Sequence, residues 1–174
     1  STRIILSLES FYKRYTDMPL CVLDNIPLAC KGNDYGIFGN EALVSTAQGR
    51  AYGVELLAKW QVPDRINASA SLTLYQSEYR NDKHSPYLPS AWDNRYILNM
   101  ICIWSLPREW DLGAKISVIG GAPYTPYDEE KSSFVEAWNA SGRPLYNYDL
   151  YNTCRLASYA QLDLRIDKNY FFRK

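Results

Sequence analysis

Tyr52-Gly-Val-Glu-Leu-Leu-Ala-Lys-Trp60 reads as a strand with Tyr52, Val54, Leu56, Ala58 and Trp60 on one side. Side chains of extended backbone alternate between two faces, so residues i, i+2 and i+4 share one. Tyr96-Ile-Leu-Asn-Met-Ile-Cys-Ile-Trp104 repeats the arrangement with Tyr96, Leu98, Met100, Cys102 and Trp104. Eight residues rise roughly 26 Å along a strand, or roughly 19 Å in height at a tilt of about 45°. That is close to the apolar band between the two aromatic girdles of a transmembrane β-barrel. A soluble sandwich has no reason to hold Tyr and Trp at this separation.

Composition is compatible with that reading without demanding it. The chain has 174 residues, enough for one domain, and nineteen basic and nineteen acidic side chains leave no net charge. Nothing therefore points to nucleic acid. No run approaches the roughly 18 apolar residues of a membrane helix. A membrane barrel has the same bland average, because lipid-facing residues alternate with polar ones. Fifteen Tyr and five Trp are the unusual quantity, and amphipathic rings suit membrane interfaces.

Period-two alternation predicts six strands: Thr2–Thr16, Leu43–Gln61, Ile66–Tyr79, Trp92–Leu106, Trp110–Ile119 and Tyr159–Phe172. The connections alternate in length. Val62–Arg65 and Pro107–Glu109 read as tight turns, while 17–40, 80–91 and 120–158 are long and polar. The expected fold is all-β, with antiparallel up-and-down strands forming part of a large transmembrane barrel. Short turns would lie on the periplasmic side and long loops outside. Trp60, Trp104 and Trp110 all fall beside short turns, at one interface. One face is aliphatic and aromatic. The other carries Glu9, Lys13, Glu55, Lys59, Asp93, Arg95, Lys115, Asp163, Arg165 and Asp167. Of these, Glu9, Lys13, Glu55, Lys59, Lys115, Asp163, Arg165 and Asp167 are expected to face the lumen, where charges such as Glu55, Lys59, Asp163, Arg165 and Asp167 would pair across neighbouring strands. An antiparallel sandwich would alternate equally well, but strands of 10 to 19 residues exceed its usual length of about 5 or 6.

Little in the chain suggests catalysis, cofactors or a bound metal. The single His84 stands beside Ser85 and near Asp82, without a nucleophile elbow. Asp128, Glu129, Glu130 and Asp149 have the donors of a cation site but are better explained by a solvated acidic turn. Cys21 and Cys30 flank a short loop-like stretch and could close a disulfide in an oxidising compartment, or remain two thiols. Cys102 reads as a small hydrophobe on the apolar face.

Five stretches together resemble the C-terminal part of a TonB-dependent outer-membrane receptor of the kind abundant in Bacteroidetes. Leu8-Glu-Ser-Phe-Tyr-Lys-Arg-Tyr15 is similar to a strand reading EaFYKrY in that family, and Gly49-Arg-Ala-Tyr-Gly-Val-Glu-Leu56 to its G-x-x-Y-G-v-E-l strand. Trp92-Asp-Asn-Arg-Tyr-Ile-Leu-Asn99 resembles D-x-x-H-x-l-N, with Arg95 or Tyr96 where His is common. Gly120-Gly-Ala-Pro-Tyr-Thr-Pro126 resembles GG-x-P-Y-T-P, and Tyr159–Lys168 resembles Y-x-r-L-D-l-R-v-d-K.

The resemblance implies a barrel of about 22 strands with a plugged lumen, of which these strands form roughly a quarter. The plug and the segment that contacts the TonB complex would lie upstream. Family barrels finish on a strand with a terminal aromatic, so the parent is expected to continue past Phe171-Phe-Arg-Lys174. Implied partners are outer-membrane lipid, the TonB complex, a surface lipoprotein and a small-molecule or glycan substrate. Within loop 120–158 the expected ligand contacts are Tyr124, Tyr127, Trp138, Tyr146 and Tyr148. Two other readings are a self-contained small barrel with a structural or adhesive role, and a soluble sandwich acting as a binding module.

Overall fold

A computed structural model describes residues 2–32 and 37–170 of the chain. Six long strands follow one another: β1 (Arg3–Cys21), β2 (Leu43–Val62), β3 (Ile66–Arg80), β5 (Tyr96–Leu106), β6 (Trp110–Ile119) and β9 (Tyr159–Lys168). Three two-residue strands complete the set: β4 (Leu88–Pro89), β7 (Pro123–Tyr124) and β8 (Cys154–Arg155). The sheet order is β1-β2-β3-β5-β6-β9, with every neighbouring pair antiparallel and β4 against the far end of β3. This is the sequential up-and-down path that the connection lengths predict. The sheet is not closed, and β1 and β9 are its edges.

Register carries the two faces across the whole sheet. Leu8, Leu56, Leu72, Leu98, Val118 and Ala160 stand in one line of paired residues. The next line on that face runs Leu6, Ala58, Ala70, Met100, Ile116 and Leu162. On the opposite face Glu9, Lys13, Glu55, Lys59, Lys115, Asp163, Arg165 and Asp167 sit at the alternate register positions. No second layer covers the apolar face: Leu6 is 76% exposed, Leu164 76% and Ile166 65%. Among the described residues no helix is long and apolar enough to cross a membrane.

Some boundaries differ from expectation for visible reasons. Strand β1 runs on to Cys21 because an irregularity between Tyr15 and Met18, with Asp17 at φ 56°, lets pairing resume beyond it. Pro19 is tolerated there because β1 is an edge strand. The fourth long strand begins at Tyr96 and not Trp92. Arg95 turns the backbone through φ 70°, and Asp93 is buried in a loop network, so neither joins the charged sheet face. The expected extension of β9 to Phe172 falls partly outside the described residues.

Packing is concentrated at the long-connection end. Ile26, Cys30 and Tyr79 are buried together, with Tyr15, Met18, Leu88 and Tyr151 against them. Tyr15 and Tyr79 stack at 5.9 Å across Gly49, where a Cβ would meet the Tyr79 ring at 2.3 Å. All three belong to the face of Glu9 and Lys13. The loops therefore fold over the charged face and leave the apolar face bare.

Candidate functional site

Three connections meet above the sheet. Asn152, 1% exposed, donates its side-chain amide to the carbonyls of Cys30 at 2.8 Å and Pro89 at 3.0 Å. One side chain thus joins loop 120–158 to loop 22–42 and to the segment after β3. Asp93, 0% exposed, accepts from the Ser77 amide at 2.9 Å and pairs with Arg155 at 2.6 Å and Arg95 at 2.9 Å. Arg155 also bonds the carbonyls of Asp93 and Gly121. A buried carboxylate is tolerated when paired and hydrogen-bonded in this way. Gly121 has no room for a side chain, since a Cβ would lie 1.7 Å from the Leu156 carbonyl oxygen.

Between loops 22–42 and 120–158 lies an open cleft of about 590 Å³. Four of the five residues expected to contact ligand line it: Tyr124, Tyr127, Tyr146 and Tyr148. Tyr127 stacks on Tyr146 at 5.1 Å and Tyr148 on Tyr151 at 6.0 Å. Trp138 does not line the cleft. It sits in helix α2 (Val135–Ser141), which follows helix α1 (Glu129–Ser132), and its ring N–H donates to the Ser132 carbonyl. That local bond turns the indole back onto its own loop. Phe38 and Arg143 line the cleft too, Phe38 from a loop whose aromatic content did not single it out.

The opposite wall is ionic. Lys31 pairs with Asp24 at 2.6 Å and Glu41 at 2.9 Å. Burial works against the Lys31 charge, but the two carboxylates outweigh it and hold its pKa above the usual lysine range. The hydrogen bond from Lys31 is the largest cause that lowers Glu41 from 4.5 to about 2. The cleft thus offers flat aromatic faces opposite charged groups, suited to a ligand with an apolar plane and a polar edge.

Cys21 and Cys30 are both buried thiols, and the disulfide is absent. Cys21 ends β1 in register with Leu43, beside Lys31, whereas Cys30 donates its thiol to the Leu88 carbonyl at 3.7 Å. Burial pushes the Cys30 thiol up to about 12. The charged face also departs from the expected cross-strand pairing. Glu55 stands opposite Glu9 and Thr73, and Lys59 opposite Ile5 and Ser69. Lys115 does face Asp163, while Arg165 pairs along its own strand with Asp167 at 2.6 Å.

The remaining candidate chemistry is locally occupied. Asp82 accepts from the His84 and Ser85 amides and the Ser85 hydroxyl, closing a turn. Asp128 caps α1 and pairs with Lys131 at 2.8 Å. Among the described residues no group of three or more acidic, His or Cys side chains could hold a metal ion. No family model, curated protein or solved structure matches this chain.

Proposed function

We propose that these strands form wall and outer loops of a TonB-dependent outer-membrane receptor that imports a scarce nutrient, such as a metal chelate or a glycan. The observation that carries the reading is the stagger of the aromatic residues on the bare apolar face. Trp60 is in register with Ala68, Cys102 and Ala114, and Trp110 lies four residues beyond Ala114 toward the short turns. Four residues at about 3.3 Å, across three strand steps of about 4.8 Å, correspond to a tilt of about 42°. Tyr96 is in register with Val54, two residues nearer the short turns than Tyr52, which corresponds to a tilt of about 35°. Transmembrane barrel strands tilt by about 35–45°. Both aromatic bands are therefore level with a membrane if the strands cross it as barrel strands do.

Exposure favours lipid over a sandwich. A sandwich buries its apolar sheet face beneath a second sheet, and the described residues supply only the two-residue ladder β7–β8 besides the main sheet. The cleft is the local candidate for ligand contact, and its ligand class follows from its aromatic faces and ionic wall.

The test uses the intact receptor reconstituted in lipid, with a nitroxide walked along positions 97–104. Even positions should be accessible to dissolved oxygen and odd ones to a water-soluble nickel chelate. Uniform accessibility along the walk would reject the wall assignment. Uptake that continues without the TonB complex would reject the transporter. Unaltered uptake after removal of loop 120–158 would take the cleft out of the ligand path.

A further inference from the structure

The apolar face changes character just beyond its tyrosine row. Tyr12 and Tyr52 pair across β1 and β2, and Tyr52 donates to Gln76 at 2.9 Å. Two residues further out the same face carries Arg14, Arg50 and Glu78 in one line, with Gln48 and Arg80 in the next. At the tilt derived above, that line lies about 5 Å above the tyrosines, a step of two residues. In the membrane reading, on which this inference rests, it is the level of lipid headgroups.

Arg14 and Arg50 stand directly opposite each other. Like charges at such positions repel. Arg50 is compensated on its other side by an ion pair with Glu78, 6% exposed. Arg14 is exposed and has no acidic partner among the described residues. Tyr87 lies between the guanidinium groups of Arg50, at 4.0 Å, and Arg80, at 4.7 Å from its ring centre. Arg80 donates to Gln48 and to the Lys83 carbonyl, yet its Nε is buried with no hydrogen-bond partner. The carboxylate of nearby Asp82 is turned into its own loop by the His84 and Ser85 amides. The line thus holds more positive charge than its own carboxylate neutralises, at register positions of the apolar face, with Tyr87 of the following loop packed against it.

We propose that Arg14, Arg50 and Arg80 form a collar that binds the phosphates of anionic lipid headgroups. A phosphate bridging Arg14 and Arg50 removes their repulsion, and guanidinium groups suit phosphate oxygens in geometry and charge. Tyr87 keeps two of the three groups stacked and oriented.

The intact receptor, diluted out of detergent, is offered to vesicles of phosphatidylcholine alone, and of phosphatidylcholine doped with phosphatidylglycerol, and its partitioning is measured by flotation. A basic residue near an anionic surface is worth about fivefold in binding. Phosphatidylglycerol should therefore raise partitioning severalfold, and Arg14→Gln should remove about fivefold of that gain while leaving phosphatidylcholine binding unchanged. Lys13→Gln, the same charge change one residue away on the opposite face, should retain the gain. Equal losses in the two variants, or no gain from phosphatidylglycerol in the unaltered receptor, overturn the collar. Failure of the unaltered receptor to enter phosphatidylcholine at all overturns the membrane reading, and the collar with it.

Discussion

The side-chain amide of Asn152 reaches the carbonyl of Cys30 at 2.8 Å across 122 positions of sequence. A second bond from the same nitrogen reaches Pro89. The long connections are thereby one body at the long-connection end of the sheet, and the cleft inherits its shape from that contact.

Replacing Asn152 with Ala leaves the Cys30 and Pro89 carbonyls without this donor. Each buried carbonyl left unpaired costs about 1–3 kcal/mol. Limited proteolysis of Asn152→Ala should cut loops 22–42 and 120–158 faster, while the β2–β3 and β5–β6 hairpins stay intact. Unchanged cleavage would show that the loops are held by other contacts.

Asp93→Asn should loosen the same cap from the other side. The carboxylate receives one amide and two arginines, and a hydrogen bond to a charged group contributes about 1.5–3 kcal/mol. The melting temperature of the cap should fall, with the strand signal in circular dichroism preserved. A variant that melts like the parent refutes the role given to Asp93.

Leu98 and Asn99 are neighbours on opposite faces. An arginine at the lipid midplane costs about 2–4 kcal/mol, and far less toward a polar lumen. On the membrane reading proposed above, Leu98→Arg should reduce insertion of the intact protein into vesicles, whereas Asn99→Arg should insert normally. The reverse order would mean that the faces are assigned the wrong way round.

The ionic wall of the cleft should be insensitive to pH over a wide range. Glu41 is depressed from 4.5 to about 2, so its contribution is complete above pH 4.5 and is lost as pH falls through about 2. Lys31 is raised, so its contribution is complete below 10.5 and is lost only at higher pH. The Gly39 amide donates to Glu41 at 2.7 Å and can report on it by nuclear magnetic resonance. Its shift should titrate near pH 2 and become flat in Glu41→Gln. A midpoint near 4.5 would mean that the pair with Lys31 does not form.

Strand β6 was legible to the residue, and both tight turns fell where Val62-Pro-Asp-Arg65 and Pro107-Arg-Glu109 interrupt the alternation. Side-chain alternation is a property of one strand's own backbone, so Val54 and Glu55 declare their faces without any partner. Loop chemistry was legible only as composition: loop 120–158 was visibly rich in tyrosine, but nothing local said that Tyr127 would stack on Tyr146 while Trp138 turned away.

The order of the six strands, the two faces and the end where the loops gather follow from the sequence alone, because period-two patterning and turn length act over a few residues. Register, the opposition of Glu9 to Glu55, the line of Arg14 with Arg50, and the closure of the loops through Asn152 were decided by the tertiary structure. Each depends on which segments meet from far apart in the chain. Many distant pairings satisfy the same local pattern, and only packing and hydrogen bonding among the assembled strands and loops select one.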